Sequence, residues 1–475
     1  MKPLGVPSPD NPIRASVLIV GGGFSGTLTA VHLARAGVRG VVLIERGPRA
    51  GLGVAYGTAC PSHLLNVPAG KMSALPDEPT HFVDWLRERE PDASAAAFAR
   101  RSDFGLYLRD LLGEAERSGA VTVERGEAVR LARAGDAWTV ELADGRRLSG
   151  GTAVLATGNP PPAVPRPFDA LAPEDPRFVR DPWADGSAWL ERLRPGARVV
   201  VVGTGLTMLD VAMALEDRGL AGPERPVLAV SRRGLLPRYH GGGGGAASAP
   251  VAWPAVVLEE TTALGLLRAI RRAIADCGDW RAVIDATRPV TNEAWVALPE
   301  REKRRVIDRL AAWWDVHRHR CAPSIGERID AMLASGTLRP LAVRRIGLEA
   351  SAVGAAEPLR LSLEPRGGGT PLAVEADVVV NCTGPRLDIA SPDQALLAHA
   401  VRDGLVALDP LGLGLRVDAE GRALDPAGRA WPGLLAIGPL RRGTLWETTA
   451  VPEIRVQAQE AGRLIAERLA APAGA

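Results

Sequence analysis

The sequence predicts an α/β fold with two separate parallel sheets, and three observations lead to this prediction. An apolar strand, a glycine-rich turn and a helix follow one another at 15–36, and the same order recurs at 197–218. Each of these units leads into another apolar strand, at 38–45 and 226–233. Strands that are apolar throughout are typical of parallel sheets that helices cover on both faces. Between 235 and 336 helical patterns replace the strands, which predicts a helical insertion in the second unit.

The bulk composition is that of an ordinary globular protein. The chain has 475 residues, 46% hydrophobic and 24% charged, and its 57 Lys and Arg nearly balance its 55 Asp and Glu. This balance gives no electrostatic reason to expect nucleic acid or an anionic membrane as a partner. No apolar run approaches the ~20 residues that span a bilayer, and residues 1–14 lack the apolar core of a signal peptide. We therefore predict a cytoplasmic protein with no membrane partner, and the sequence carries no signal for an oligomeric state.

The cysteine positions limit the chemistry further. Cys60, Cys277, Cys321 and Cys382 are far apart in the sequence. This spacing favours neither a disulfide framework nor a metal knuckle, and it contains no CxxC redox pair. We predict no metal site.

The first glycine turn has the pattern of a dinucleotide site. Gly21, Gly23 and Gly26 form G-x-G-x-x-G directly after a strand and at the start of a helix. The first glycine permits a tight turn, the second lets the backbone approach a pyrophosphate, and the third lets helix and strand pack closely. Glu45 ends the next strand, where a carboxylate accepts hydrogen bonds from ribose hydroxyls. The alternative is a glycine turn without a ligand, but strand, helix and acid together favour a Rossmann-type nucleotide site.

The second glycine turn differs in two ways. Gly203 and Gly205 keep the first two positions, but Met208 replaces the third glycine. After the next strand comes Arg232-Arg233 in place of an acid. Two guanidiniums suit a 2′-phosphate in charge and in bidentate geometry, which favours NADPH over NADH. The alternative is that these arginines form a solvated face.

Two strand ends resemble each other. Thr157-Gly158 follows one apolar strand and Thr383-Gly384 follows another. Small residues at a strand end let the chain pass close to a dinucleotide. A hinge between domains is the other interpretation, and both can hold.

With these elements placed, the chain resembles a bacterial family of FAD/NAD(P)-binding proteins that includes FAD-dependent urate hydroxylases and aspartate N-monooxygenases. The stretches that carry the resemblance are GGGFSGTLTA, HLLNVPAGKMS, VLATGNPPP, GTGLTMLDVA, SRRGLLP, WWDVHRHR and GPLRRGTLWETTAVPEIRVQA. The resemblance implies a glutathione-reductase-like fold in which two Rossmann-like domains bind FAD and NADPH and the NADPH domain is inserted in the FAD domain. The expected boundaries are 13–170 and 376–475 for FAD and 171–375 for NADPH, with the helical insertion at about 240–336.

The resemblance also implies further cofactor contacts. Asn66 is expected near the flavin ring system, and the segment from Gly438 to Thr448 beside the ring or its ribityl chain. Pro439 follows Gly438 where many flavoproteins have an acid for the ribityl hydroxyl. Glu447 is a candidate replacement, and a surface glutamate is the alternative.

The function implied is that of a flavin monooxygenase. NADPH would reduce the flavin, and a C4a-hydroperoxyflavin formed with molecular oxygen would hydroxylate a small substrate, urate-like or an amino acid. A dehydrogenase that passes electrons from NADPH to a quinone or protein partner is a second hypothesis. A non-enzymatic flavin-binding redox sensor is a third. No catalytic residue is identified from the sequence.

Overall fold

The strands define two sheets. The computed structural model describes residues 13–241, 253–349, 357–386 and 388–471. In chain order the strands are β1 Ile13–Val20, β2 Val41–Glu45, β3 Val121–Arg125, β4 Ala128–Ala134, β5 Ala137–Leu142, β6 Arg147–Leu155, β7 Phe178–Val179, β8 Val199–Val202, β9 Val227–Ser231, β10 Leu338–Leu348, β11 Leu359–Pro365, β12 Leu372–Ala376, β13 Val378–Asn381, β14 Arg422–Leu424 and β15 Ala430–Ala436.

Helices cover the sheets and form a separate helical region. They are α1 Phe24–Arg35, α2 Gly53–Tyr56, α3 His81–Arg87, α4 Arg101–Arg117, α5 Leu206–Asp217, α6 Trp253–Glu259, α7 Ala263–Cys277, α8 Trp280–Thr287, α9 Thr291–Ala297, α10 Glu300–Arg305, α11 Ala311–Arg318, α12 Pro323–Ala334, α13 Ala395–Arg402 and α14 Val451–Ala470. Short 3-10 turns lie at Ala69–Lys71, Phe168–Ala170, Ala184–Arg192, Arg288–Val290, Pro392–Gln394 and Gly438–Arg441, and a π-type turn at Val306–Leu310 joins α10 to α11.

The first sheet has the strand order β14-β15-β6-β1-β2-β3, with the antiparallel pair β4-β5 attached to β6. β1 lies at its centre and pairs in parallel with β2 and β6. Residues 17–20 of β1 are buried because their side chains alternate between two apolar clusters, one on each face of the sheet. This double burial explains why β1 has no polar alternation, as predicted.

The second sheet repeats this arrangement. Its order is β12-β11-β10-β9-β8-β13-β7, and β8 pairs in parallel with β9 and β13. In both sheets the strand before the glycine turn therefore lies between two parallel neighbours. Ligands of open α/β sheets bind outside the carboxyl ends of the strands where the strand order reverses. Each glycine turn lies at such a point.

The topology confirms the predicted insertion of one unit in the other. The chain leaves the first sheet after β6, builds the second sheet, and returns to the first sheet with β14 and β15. The predicted boundary at 375/376 is wrong, because β13 (378–381) pairs with β7 and β8 of the second sheet. The second unit therefore extends to the Thr383-Gly384 turn.

The helical insertion is shorter than predicted. The helices α6 to α11 form it, with an apolar cluster of their own around Trp253 and Val283. A second cluster packs Trp295 of α9 against Leu413 and Trp446 of the C-terminal segment. In contrast, α12 buries Ile325 and Ile329 against the second sheet and leads directly into β10, so it is the crossover helix of that unit. Most of the glycine tract at 240–250 lies outside the described residues. None of the described helices has the length and apolar character needed to cross a bilayer.

Candidate nucleotide sites and the cavity between them

Two positions of the first glycine turn have no room for a side chain. Gly21 has φ +105°, and a Cβ there would lie 2.3 Å from the carbonyl oxygen of Ala156. A Cβ at Gly26 would lie 1.9 Å from the carbonyl oxygen of Gly21. Both approaches leave no room for a side chain, so these two glycines are required by the protein itself.

Gly23 is different because the space beside it is open. It is the N-cap of α1, where no side chain caps the helix. A Cβ at Gly23 would meet only the Cα of Gly53, at 3.7 Å. The free N–H groups of a helix of 12 residues therefore face an open space, which fits the predicted pyrophosphate.

Glu45 lies beside this turn, as the sequence predicts. Its carboxylate accepts hydrogen bonds from the backbone N–H of Gly22 at 2.8 Å and of Gly47 at 2.5 Å. These bonds fix the carboxylate at the end of β2, next to the glycines. Each oxygen keeps a lone pair, so the group can still accept from ribose hydroxyls.

The second glycine turn repeats the geometry of the first. Gly203 has φ +110°, and a Cβ there would lie 2.2 Å from the carbonyl oxygen of Cys382. Gly205 is the N-cap of α5 without a side-chain cap, and no atom lies within 4 Å of a Cβ built on it. This turn therefore offers the same open helix N-terminus.

The predicted phosphate arginines lie at the end of β9. Arg232 is exposed and Arg233 is half-buried. Within the described residues neither guanidinium has a hydrogen bond or an ion pair. The turn that carries them is fixed by the hydroxyl of Ser231, which accepts from the N–H of Gly234 at 2.9 Å. Two unpaired cations on a fixed turn beside the open helix fit a 2′-phosphate.

The two Thr-Gly strand ends lie against the two glycine turns. The residue before each threonine, Ala156 or Cys382, provides the carbonyl that the first glycine approaches. The hydroxyl of Thr157 is buried and has no partner among the described residues. The hydroxyl of Thr383 donates to Oδ1 of Asn381 at 2.8 Å. Gly158 and Gly384 both have positive φ and open space beside them.

Asn66 lies where the first unit meets the second. Its backbone carbonyl accepts a hydrogen bond from Nε2 of His240 at 2.9 Å. Burial lowers the pKa of His240 below its usual value. The side chain of Asn66 makes no hydrogen bond within the described residues. The predicted contact between Asn66 and the flavin therefore remains a prediction.

Gly438 and Thr448 are joined by a hydrogen bond and are both anchored to neighbouring helices. The hydroxyl of Thr448 donates to the carbonyl of Gly438 at 3.0 Å and accepts from Nε2 of Gln457 at 2.8 Å. A Cβ at Gly438 would lie 2.5 Å from Oγ of Ser25. The segment is thereby pressed against α1, near the first glycine turn. Sequence reasoning missed Gln457, which gives no local signal on α14.

Glu447 is not a surface residue. Its side chain is 5% exposed and pairs with Arg318 at 3.1 Å. It also accepts from the indole N–H of Trp314 at 3.3 Å. The surface alternative is therefore wrong, and Glu447 joins the helical insertion to the segment before α14.

Arg101 and Asp210 form a second ion pair between units, which the sequence did not reveal. Their side chains are 14% and 13% exposed and meet in two hydrogen bonds, of 2.8 and 3.1 Å. Asp210 lies in the first turns of α5, so this pair fixes the second helix start relative to the first unit.

A cavity of about 230 Å³ lies between the two Thr-Gly ends. Asn159 and Pro385 line one side of it, directly after those two turns. The other lining residues come from the helical insertion and the C-terminal segment: Asp315, His319, Arg442, Trp446 and Thr449. The cavity therefore adjoins both nucleotide sites.

Comparison with known proteins identifies structures of similar fold. Residues 18–160 match the model of an FAD-NAD(P)-binding family. The structure is similar to ornithine hydroxylase from Pseudomonas aeruginosa, with TM-score 0.65 and 17% identity over 96% of this chain and 100% of that chain. This is the fold of the two-domain flavoproteins. The resemblance inferred from the sequence is thus confirmed at the level of the fold.

Two further structures share the two-domain flavoprotein fold. L-lysine 6-monooxygenase from Pseudomonas syringae matches with TM-score 0.63 and 15% identity, and the ornithine N-hydroxylase of Kutzneria sp. 744 with TM-score 0.61 and 16% identity. Each match covers 96% of this chain and 100% of the other. The Kutzneria structure contains reduced FAD and NADP+. At these identities the likeness establishes the fold, and the activity must be argued from the site.

Proposed function

We propose that this chain is an FAD- and NADPH-dependent monooxygenase that hydroxylates a small metabolite. The observation that carries the proposal is the cavity, which is lined by Asn159 and Pro385, the residues that directly follow the two Thr-Gly strand ends beside the two glycine turns. The solved flavoproteins of the same fold that hydroxylate ornithine and lysine support it.

The first unit would hold FAD. The open N-terminus of α1 at Gly23 would receive the pyrophosphate, and Glu45 the ribose. Gly21 and Gly26 would keep the turn tight, and Thr157 and Gly158 would border the nucleotide. Asn66, Gly438 and Thr448 would position the flavin end.

The second unit would hold NADPH. Gly203 and Gly205 would present the N-terminus of α5 to the pyrophosphate. Arg232 and Arg233 would bind the 2′-phosphate, which NADH lacks. Thr383 and Gly384 would border this nucleotide as Thr157 and Gly158 border the first.

A bound flavin supplies electron transfer from NADPH and the activation of oxygen. The protein must bring both nucleotides and the substrate together and keep water away. The ion pairs Arg318–Glu447 and Arg288–Glu453 join the helical insertion to the C-terminal segment and would hold the insertion over this region.

The cysteines argue against disulfide reduction, the other common chemistry of such folds. Burial raises the pKa of Cys321 to about 11 and that of Cys382 well above its usual value. A thiolate is needed for attack on a disulfide. These buried thiols stay protonated at neutral pH, which agrees with the spacing argument from the sequence.

The test is the fate of labelled molecular oxygen. The flavin-loaded protein should consume NADPH in step with a small substrate and place one labelled oxygen atom in the product. Rapid NADPH consumption with a quinone and no oxygenated product would establish the dehydrogenase alternative instead. Slow flavin reduction even at saturating NADPH would point to the redox sensor. Gly23→Ala is the control, since it should keep the fold and lose flavin.

A further inference from the structure

The first unit contacts helix α5 of the second unit at Asp210, through both its side chain and its backbone. The carboxylate of Asp210 accepts two hydrogen bonds from the guanidinium of Arg101, and its backbone carbonyl accepts one from Nε2 of His63 at 3.0 Å. Asp210 is the fifth residue of α5, and the open N-cap Gly205 precedes that helix. The helix start that fits a pyrophosphate is therefore bound to the first unit within its first turns.

The guanidinium of Arg101 uses all three of its nitrogens in this contact. Nη1 and Nη2 donate to the two carboxylate oxygens of Asp210, and Nε donates to the backbone carbonyl of Leu64 at 2.9 Å. The backbone N–H of Arg101 donates to the carbonyl of His63 at 2.9 Å. A planar guanidinium with these partners has one orientation, which a single ammonium group could not reproduce.

His63 is fixed from both sides of its ring. It is 3% exposed, and burial lowers its pKa, so the ring is neutral at pH 7. Nδ1 accepts from the hydroxyl of Thr58 at 2.7 Å, which leaves the proton on Nε2 for the carbonyl of Asp210. Beside these polar contacts, Leu64 and Phe98 of the first unit pack against the apolar cluster of the second unit.

The segment that holds α5 continues to Asn66, the residue expected near the flavin ring system. The contacts of Asp210 therefore connect the helix that would bind the NADPH pyrophosphate with the segment that would border the flavin. Reacting groups must approach within about 3–3.5 Å, and a displacement of about 1 Å can lower a rate about a hundredfold. A rotation of α5 would carry the bound nucleotide with it, so it would alter this approach more than it would alter nucleotide binding.

We propose that Arg101 and Asp210 are positioning residues for flavin reduction, and that their ion pair sets the orientation of the NADPH unit relative to the flavin. The inference rests on the proposed function in assuming that the two units bind FAD and NADPH. The pair has no net charge, whereas the loss of one partner leaves a charge near the helix start and alters the affinity for a phosphate. Orientation and charge can therefore be tested separately.

The decisive variant is the double substitution Arg101→Met/Asp210→Asn, which removes the ion pair and leaves the net charge unchanged. Anaerobic stopped-flow reduction of the flavin-loaded protein by NADPH gives a limiting rate and an apparent Kd. The limiting rate should fall at least about tenfold, because the nicotinamide is no longer held in one orientation. The Kd should stay within about threefold of the wild-type value, because the glycine turn and the arginines at 232 and 233 are intact.

The single variants separate the contact from the charge. Arg101→Met leaves an unpaired carboxylate near the helix start and should raise the Kd for NADPH, whereas Asp210→Asn leaves an unpaired cation and should lower it. Both should lower the limiting rate at least about threefold, since each breaks the paired fork. Arg101→Lys should recover part of the rate that Arg101→Met loses, because it keeps the charge.

A second measurement does not depend on turnover. Hydrogen exchange of the flavin-loaded protein, followed by mass spectrometry without NADPH, reports how firmly the two units are joined. In the double variant, residues 60–66 should exchange at least about threefold faster, and β1 should exchange as in the wild type. Arg117→Ala is the matched control, because Arg117 is exposed in the last turn of the same helix α4. It should leave the rate, the Kd and the exchange unchanged.

Three results would overturn the proposal. They are a double variant that keeps more than about a tenth of the limiting rate, a Kd that rises as much as the rate falls, and unchanged exchange at 60–66. If the double variant does not retain flavin, Asp210→Asn decides, since it keeps the side-chain volume. If NADPH does not reduce the wild-type flavin, the proposed function fails and this inference with it. If NADPH reduces the wild type and the double variant alike, only this inference fails.

Discussion

The two glycine turns have the same backbone geometry but differ at the third glycine of the G-x-G-x-x-G pattern. At the first turn, Gly26 lies five residues after the leading glycine, and Met208 holds the same place at the second. A Cβ at Gly26 would overlap the carbonyl of Gly21, whereas the whole side chain of Met208 is buried in the second core. The second unit therefore has a packed side chain at the position where the first unit has close contact between helix and turn backbone. In both units the leading glycine is required because a Cβ there would lie 2.2–2.3 Å from a backbone carbonyl oxygen. The residue type at the third position depends on how closely helix and strand pack.

The largest expected effect tests this difference directly. Gly26→Ala should destabilise the first unit by about 3 kcal/mol, because the methyl group meets backbone that cannot move aside. Met208→Leu, a swap of similar volume, should cost under about 1.5 kcal/mol. Denaturant unfolding of the two variants measures both values. Equal losses would mean that the two helix starts are packed alike.

Gly23→Ala should separate ligand binding from folding. Its Cβ would lie 3.7 Å from Gly53, an ordinary contact, so the free energy of unfolding of the flavin-free protein should change by less than about 0.5 kcal/mol. Flavin affinity should fall about a hundredfold, because the methyl group occupies the space of the pyrophosphate. Absorbance of bound flavin after gel filtration measures this. If Gly23→Ala binds flavin with wild-type affinity, Gly23 does not belong to the flavin site.

The next prediction concerns the residues at the end of the strand that follows each turn. They are Glu45 in the first unit and Arg232 and Arg233 in the second. Arg232→Ala should raise the KM for NADPH about tenfold to a hundredfold and leave that for NADH nearly unchanged, since a charge-assisted bond contributes about 1.5–3 kcal/mol. Steady-state kinetics with both nucleotides provides the comparison. Arg344→Ala, an exposed arginine of the same unit, should change neither value. A loss that is equal for both nucleotides would exclude the phosphate role.

The smallest effect is expected at Glu45. Glu45→Gln replaces an oxygen that accepts from Gly22 or Gly47 with an amide that donates, so one backbone N–H loses its partner. Flavin affinity should fall severalfold, by about 1 kcal/mol, measured by fluorescence titration of the flavin-free protein. Glu127→Gln is the control, because this exposed carboxylate only approaches Arg46 at 4.0 Å. A similar loss in both variants would mean that Glu45 acts only through net charge.

Local patterns were sufficient to predict the turns and not the contacts between units. Gly21 and Gly203 could be predicted from the sequence because a positive φ after an apolar strand needs glycine. Arg101–Asp210 and Arg318–Glu447 join residues more than a hundred positions apart, and nothing near either residue indicates its partner. The boundary error at 375 has a similar origin. All four residues of β13 are buried and the first three are valines, and such a strand fits either sheet equally well by composition.

The insertion of one unit in the other also sets the order in which the protein can be assembled. β6 ends at Leu155, but its parallel neighbour β15 begins only at Ala430. At the ~5–20 residues per second of synthesis, the end of β6 at 153–155, which pairs with β15, stays unpaired for tens of seconds. The Gly438 segment that presses on Ser25 arrives later still. A nascent chain arrested before Ala430 should therefore hold no flavin, and during that interval the unpaired edge is exposed to other chains or to chaperones.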